Sequence, residues 1–126
     1  MRLKISLTIF LSASLAACML LPYSGITYYS GAPTFSPTSS DQVELLRDAP
    51  YKANVQLGEV WVRPEASWSP AYVETQLKQK AASLGANAVV IIFDQYFSNG
   101  RVVAGFGQGP RVSPPNGVTG VAIRYQ

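Results

Sequence analysis

One stretch of this chain leaves little freedom of fold: an apolar series at helical spacing that ends on glycine and runs at once into an unbroken apolar segment. Val73, Leu77, Ala81 and Leu84 gather on one helical face, with Glu74, Lys78 and Lys80 away from it. Ser69 and Pro70 have the chemistry of an N-cap and first helical residue. Gly85 supplies a left-handed stop. Ala88 to Phe93 is continuous, apolar and rich in β-branched residues, which predicts a central strand buried on both faces.

The flanking segments supply the rest of a sheet. Val43 and Leu45 alternate ahead of Pro50, a short first strand. Asn54 to Arg63 reads as a stronger strand whose apolar parity changes from Val55 and Leu57 to Val60 and Val62. Gly58 sits at that switch, so a β-bulge is expected there. Asn99-Gly100 is a hairpin signal between Tyr96-Phe97 and Val102-Val103. Residues 107 to 117 form a Gly/Pro loop, and Val118 to Tyr125 closes the chain with Val121, Ile123 and Tyr125 on one face. The expected fold is α+β, a single small domain in the order β-β-α-β-β-β, with one helix packed on a mostly antiparallel sheet.

The N-terminus has a different character. Met1 to Lys4 is a short positive segment, and Ile5 to Ala13 is an uncharged run rich in Leu, Ile and Phe, as in a secretory signal. It ends in Leu15-Ala16-Ala17-Cys18, which matches the bacterial lipobox at each position. Small side chains at Ala16 and Ala17 let an extended backbone enter a peptidase, and a thiol accepts a diacylglyceryl group as a thioether. Residues 1–17 are therefore expected to be removed, leaving Cys18 acylated and several acyl chains in a membrane, each buried methylene contributing about 0.8 kcal/mol. The alternative is an uncleaved helix, but the uncharged stretch from Ile5 to Leu21 meets Pro22 short of the roughly 20 residues a span needs. Met19, where an Asp would retain a lipoprotein in the inner membrane, favours the outer membrane, with the domain facing the periplasm.

Residues 18–40 are expected to form the lipidated N-terminus and a Pro/Ser/Thr tether, and 41–126 the domain. As coil, about 19 tether residues would span roughly 25 Å. Tyr23, Tyr28, Tyr29 and Phe35 make this segment more adhesive than a plain linker. A place at the lipid interface, docking on a partner and a part-ordered arm are all open.

Composition then excludes whole classes of function. The chain contains no His, and Cys18 is its one cysteine, so an intramolecular disulfide, a Ser-His-Asp triad and a Cys-His pair are impossible. Zinc and similar metals lose their usual ligands. Ten basic side chains face seven acidic ones, but Arg2 and Lys4 lie in the signal, and the remaining surplus of one gives no basis for nucleic-acid binding. No catalytic residues, metal site or cofactor is expected.

Several segments carry a resemblance. A helix ending Ala81-Ala82-Ser83-Leu84-Gly85-Ala86-Asn87-Ala88-Val89-Val90, preceded by Leu57-Gly58-Glu59-Val60 and closed by Gly120-Val121-Ala122-Ile123, is similar to the domain of RcsF-type envelope lipoproteins and the related YbjQ-like proteins. The resemblance covers about residues 43 to 125. It implies a small α+β domain that reports on the envelope through protein contacts, or one that assembles into rings. The RcsF type carries disulfides in its domain, and this chain has none.

The remaining motifs read as structure. Leu84, Gly85, Ala86, Asn87 and Ala88 are small or apolar enough to pack a helix end on the next strand, with Asn87 bonding local backbone. Gly105-Phe106-Gly107-Gln108-Gly109 imitates a phosphate loop, but Pro110, Pro114 and Pro115 leave no helix N-terminus to hold an anion. Asp41, Glu44 and Asp48 flank the first strand on its polar side, which argues against an acid/base pair. Trp61 is either an exposed contact or packed under a loop, and Arg101, Arg111 and Arg124 are at most a weak basic patch. The functional expectation is a membrane-anchored, non-enzymatic envelope interaction or sensing module with a protein partner. The alternative is a small-ligand-binding domain, as a monomer or an oligomer, with a pocket near the helix C-terminus and the Gly/Pro loop.

Overall fold

The computed structural model describes residues 23–126. The segment read as a signal, 1–17 with Leu15, Ala16 and Ala17, and Cys18 after it lie outside the described residues. In chain order the elements are β1 (Ser24–Tyr28), β2 (Glu44–Leu46), β3 (Asn54–Val62), α1 (Pro70–Ser83), β4 (Ala88–Asp94) and β5 (Val118–Tyr125), with a 3-10 turn at Ser40–Gln42. One sheet runs β1-β3-β5-β4-β2, antiparallel except for the β2–β4 pair. The α+β class is as expected, one helix on a mostly antiparallel sheet. The order is β-β-β-α-β-β, three strands before the helix and two after.

The helix forms where its signals stand. Ser69 Oγ accepts the Tyr72 N–H at 3.2 Å and Pro70 occupies the first turn, where its missing N–H costs nothing. At the far end the Gly85 N–H donates to the Ala82 carbonyl and the Ala86 N–H to Ala81, a Schellman closure with Gly85 at φ +80°. Val73, Leu77, Ala81 and Ala82 are buried. They meet Val60, Val62, Val89, Ile91, Val118 and Ala122 on one face of the sheet. β4 is buried on both faces: Ala88, Val90 and Ile92 point the other way, into a second cluster with Tyr29, Val121 and Ile123. Burying each Val, Leu or Ile side chain among them contributes about 1.5–3 kcal/mol. The bulge expected at Gly58 is present, because the β3–β5 register shifts between Gln56 and Gly58. That shift is what lets Leu57 and Val60 share the helix side.

Two expectations are corrected. The stretch read as tether contributes an edge strand and a wrap. β1 pairs with β3 from Ser24 opposite Val62 to Tyr28 opposite Gly58. Beyond it, Thr38 bonds the helix end through its N–H to Ala82 O (2.9 Å) and its hydroxyl to Ala86 O (2.7 Å). The folded domain therefore starts at β1, not at residue 41. Polar, glycine-containing sequence is compatible with an edge strand because such a strand is buried on one side only. The second correction is the hairpin at Asn99-Gly100. Asp94 Oδ1 accepts the N–H groups of Tyr96 and Phe97 at 3.0 and 2.9 Å, turning the chain as β4 ends. Val103 makes one ladder-like bond, to Ile91 O, and residues 95–117 form no strand.

Candidate functional site

β3 projects Glu59 onto the sheet face opposite the helix, where it is wholly buried. One carboxylate oxygen accepts the Tyr29 hydroxyl at 2.8 Å, and the other accepts the Arg111 backbone N–H at 2.8 Å. The Gln108 N–H approaches the same Tyr29 oxygen at 3.4 Å, and the Arg111 guanidinium lies 6.0 Å from the Tyr29 ring centroid. Arg111 also bonds the Gln108 side chain. Burial, reinforced by the Glu59 carboxylate, pushes the Tyr29 phenol up to about 12. Gly107 lets the loop come this close: at φ +74°, a Cβ there would lie 2.7 Å from the Tyr29 oxygen. The Gly/Pro loop is thus tied to the sheet by a carboxylate 52 residues away. Nothing in its local sequence marks that bond. With both oxygens engaged and no exposure, Glu59 meets a solute only after the loop opens.

A second polar group holds the segment after β4. The buried Asp94 carboxylate pairs with Arg47 at 2.7 Å. Arg47 also donates to the Arg101 carbonyl at 3.0 Å and stacks 4.8 Å from the Phe97 ring centroid. Leu45, Arg47, Pro70, Glu74, Tyr96 and Phe97 line a broad cleft of about 520 Å³ beside the helix N-terminus. A smaller cavity of about 260 Å³ lies at the helix C-terminus, among Tyr28, Tyr29, Pro33, Phe35, Leu57 and Leu84.

The two ends of the sheet carry different aromatic groups. At the end where β1 begins and β3 finishes, Trp68 lies 6.0 Å from Tyr23 and 4.8 Å, edge to face, from Tyr72. Arg63 covers the Tyr23 ring at 5.1 Å, and the Tyr96 hydroxyl donates to Trp68 O at 3.3 Å. A hydrogen bond to Glu65 raises the Tyr23 phenol pKa. At the other end Lys52 sits 5.4 and 5.2 Å from the Tyr51 and Tyr125 ring centroids.

The motif residues serve packing. A Cβ at Gly85 would fall 2.6 Å from Phe35 Cβ and 2.7 Å from Ser36 O, and one at Gly58 would fall 2.6 Å from Thr27 O. Ala86 and Ala88 are fully buried, and Leu84 packs against the helix-side core. Asn87 does more than the local bonding expected of it. Its N–H donates to Ile123 O (2.8 Å), its carbonyl accepts the Glu44 N–H (2.9 Å), and its side-chain oxygen accepts the Tyr125 N–H (3.0 Å). Trp61 lies under β1, where a Cβ at Gly25 would meet the indole at 2.5 Å.

The three arginines form no common patch. Arg101 pairs with Asp48, Arg111 bonds Gln108, and Arg124 donates to Gly85 O at 2.9 Å while stacking on Phe35. Of the acidic residues around β2, Asp41 accepts from Ser39 and Asp48 pairs with Arg101. Among the described residues no group of three or more acidic, His or Cys side chains is placed to hold a metal. No protein-family model, no curated protein and no solved structure matches this chain.

Proposed function

We propose that this protein is a lipid-anchored, non-enzymatic interaction or sensing module of a bacterial envelope, held at the outer membrane and facing the periplasm. One observation carries the proposal: a complete lipobox, Leu15-Ala16-Ala17-Cys18, stands six residues ahead of the first strand of a folded domain. The roles of its polar side chains support it. Glu59 and Asp94 have the burial from which reactive carboxylates are made, yet both are occupied in tying loops to the sheet. The resemblance to RcsF-type and YbjQ-like domains points the same way, toward a partner protein in the envelope. Because Cys18 is the one cysteine, any sensing here works without the domain disulfides of the RcsF type.

The test is photo-crosslinking in intact cells from Tyr28 and Tyr51, which are 69% and 73% exposed. A discrete adduct with one envelope protein supports the module, and recovery of uncrosslinked monomer alone contradicts it. The second reading, a small-ligand domain, is favoured by the largely aromatic and aliphatic cavity at the helix C-terminus. A bound metabolite retained through purification and lost on Leu84→Trp would support that reading instead.

A further inference from the structure

The domain starts too close to Cys18 to be displayed at a distance. From Cys18 to Tyr23 the chain has five residue steps, at most about 18 Å fully extended whatever its conformation. β1 enters the sheet directly after Tyr23, opposite the end of β3, and the Tyr23 carbonyl is fixed there by the Arg63 N–H at 2.6 Å. The nine residues of β3 separate this end from the Tyr51 end by roughly 26 Å. A leash of about 18 Å cannot let the domain stand upright on its Tyr51 end, because Tyr23 would then lie roughly 26 Å above that end.

The exit end also has the chemistry of a membrane–water interface. Tyr23 and Tyr72 are 37% and 45% exposed, and both contact Trp68. Tyr and Trp settle at headgroup depth because each has an apolar body and a polar tip. Arg63 and Glu65 flank Tyr23, and Arg101 pairs with Asp48, so these charges leave no surplus to demand an anionic lipid. We infer that the end of the domain bearing Tyr23, Trp68 and Tyr72 is its membrane-apposed face, with these rings at the headgroups of the bilayer that holds the Cys18 acyl chains. The opposite end, with Tyr51, Lys52 and Tyr125, then points away from the bilayer and is open to a partner. This rests on the proposal that Cys18 is lipidated.

The test uses the full mature lipoprotein in phosphatidylcholine vesicles. Acylation leaves no free thiol, so Ala66→Cys, in the exposed loop beside Tyr23, and Tyr51→Cys each give a single labelling position. Each variant carries a bimane, and quenching by a headgroup-depth nitroxide phosphatidylcholine is measured after flotation. The expected result is co-flotation with quenching at position 66 at least threefold stronger than at position 51. Co-flotation with equal quenching, or stronger quenching at 51, overturns the orientation and leaves the anchor intact. Protein that does not float overturns the anchor, and the orientation with it.

Discussion

The buried carboxylate of Glu59 accepts the hydroxyl of Tyr29, a residue from the stretch that composition alone marks as linker. This bond joins β3 to the chain just beyond β1 and, through Arg111, to the Gly/Pro loop. Removing it leaves a buried anion short of a donor, which costs about 1.5–3 kcal/mol. Tyr29→Phe is expected to lose that much stability in urea denaturation.

The same phenol sets an alkaline limit. Its folded pKa, about 12, lies above the ordinary value of 10. The folded state therefore holds a proton that the unfolded state releases between these values, and stability falls as pH rises. The contribution is whole below pH 10 and is lost as pH approaches 12, at a slope of at most about 1.4 kcal/mol per pH unit. Wild type should lose more stability than Tyr29→Phe across this window, measured as Tm against pH. Parallel curves would show that Tyr29 is not the group responsible.

Gly85 is constrained twice, by φ +80° and by Phe35 and Ser36 lying where a side chain would go. Gly85→Val should cost about 2 kcal/mol or more, from backbone strain together with displacement of the wrap. An unchanged melting point would place the helix end elsewhere.

Asn87 joins β2 and β5 through three hydrogen bonds, one of them made by its side chain. Asn87→Ala removes only that one, leaving the Tyr125 N–H without its acceptor at a cost of about 1–2 kcal/mol. Amide exchange at Tyr125 should quicken while Ile123 stays protected. If stability is unchanged but a purified partner or metabolite no longer binds, Asn87 is a ligand contact and its packing role is wrong.

How much of this was legible in the sequence depends on where each element finds its partners. The helix was legible because its signals are local: Ser69 caps within three residues, Val73, Leu77 and Ala81 share one face, and Gly85 closes the end. The bulge at Gly58 was legible because Val55 and Leu57, then Val60 and Val62, all reach the helix side, which strict alternation allows only with one extra residue between the pairs. β1 was not, since an edge strand needs no long apolar alternation, and Ser24-Gly25-Ile26-Thr27-Tyr28 has a single aliphatic residue. The Asn99-Gly100 turn exists, with Gly100 at φ +54°, but Asp94 captures the preceding N–H groups before a second strand can pair. The Glu59 network joins residues 30 and 52 positions apart, and no spacing within one segment encodes that. Of the lipobox, only the residue types were readable, and they bear on anchoring rather than fold.

Anchoring through Cys18 is therefore the point to test first. Cells producing the wild-type chain or Cys18→Ser are fed an alkyne fatty acid, and the protein is followed by click labelling and membrane fractionation. Wild type should be labelled, and it should stay in the membrane fraction after a high-salt wash. Cys18→Ser should lose the label and leave that fraction. Label persisting on Cys18→Ser, or a wild-type protein that is never labelled, would contradict the account.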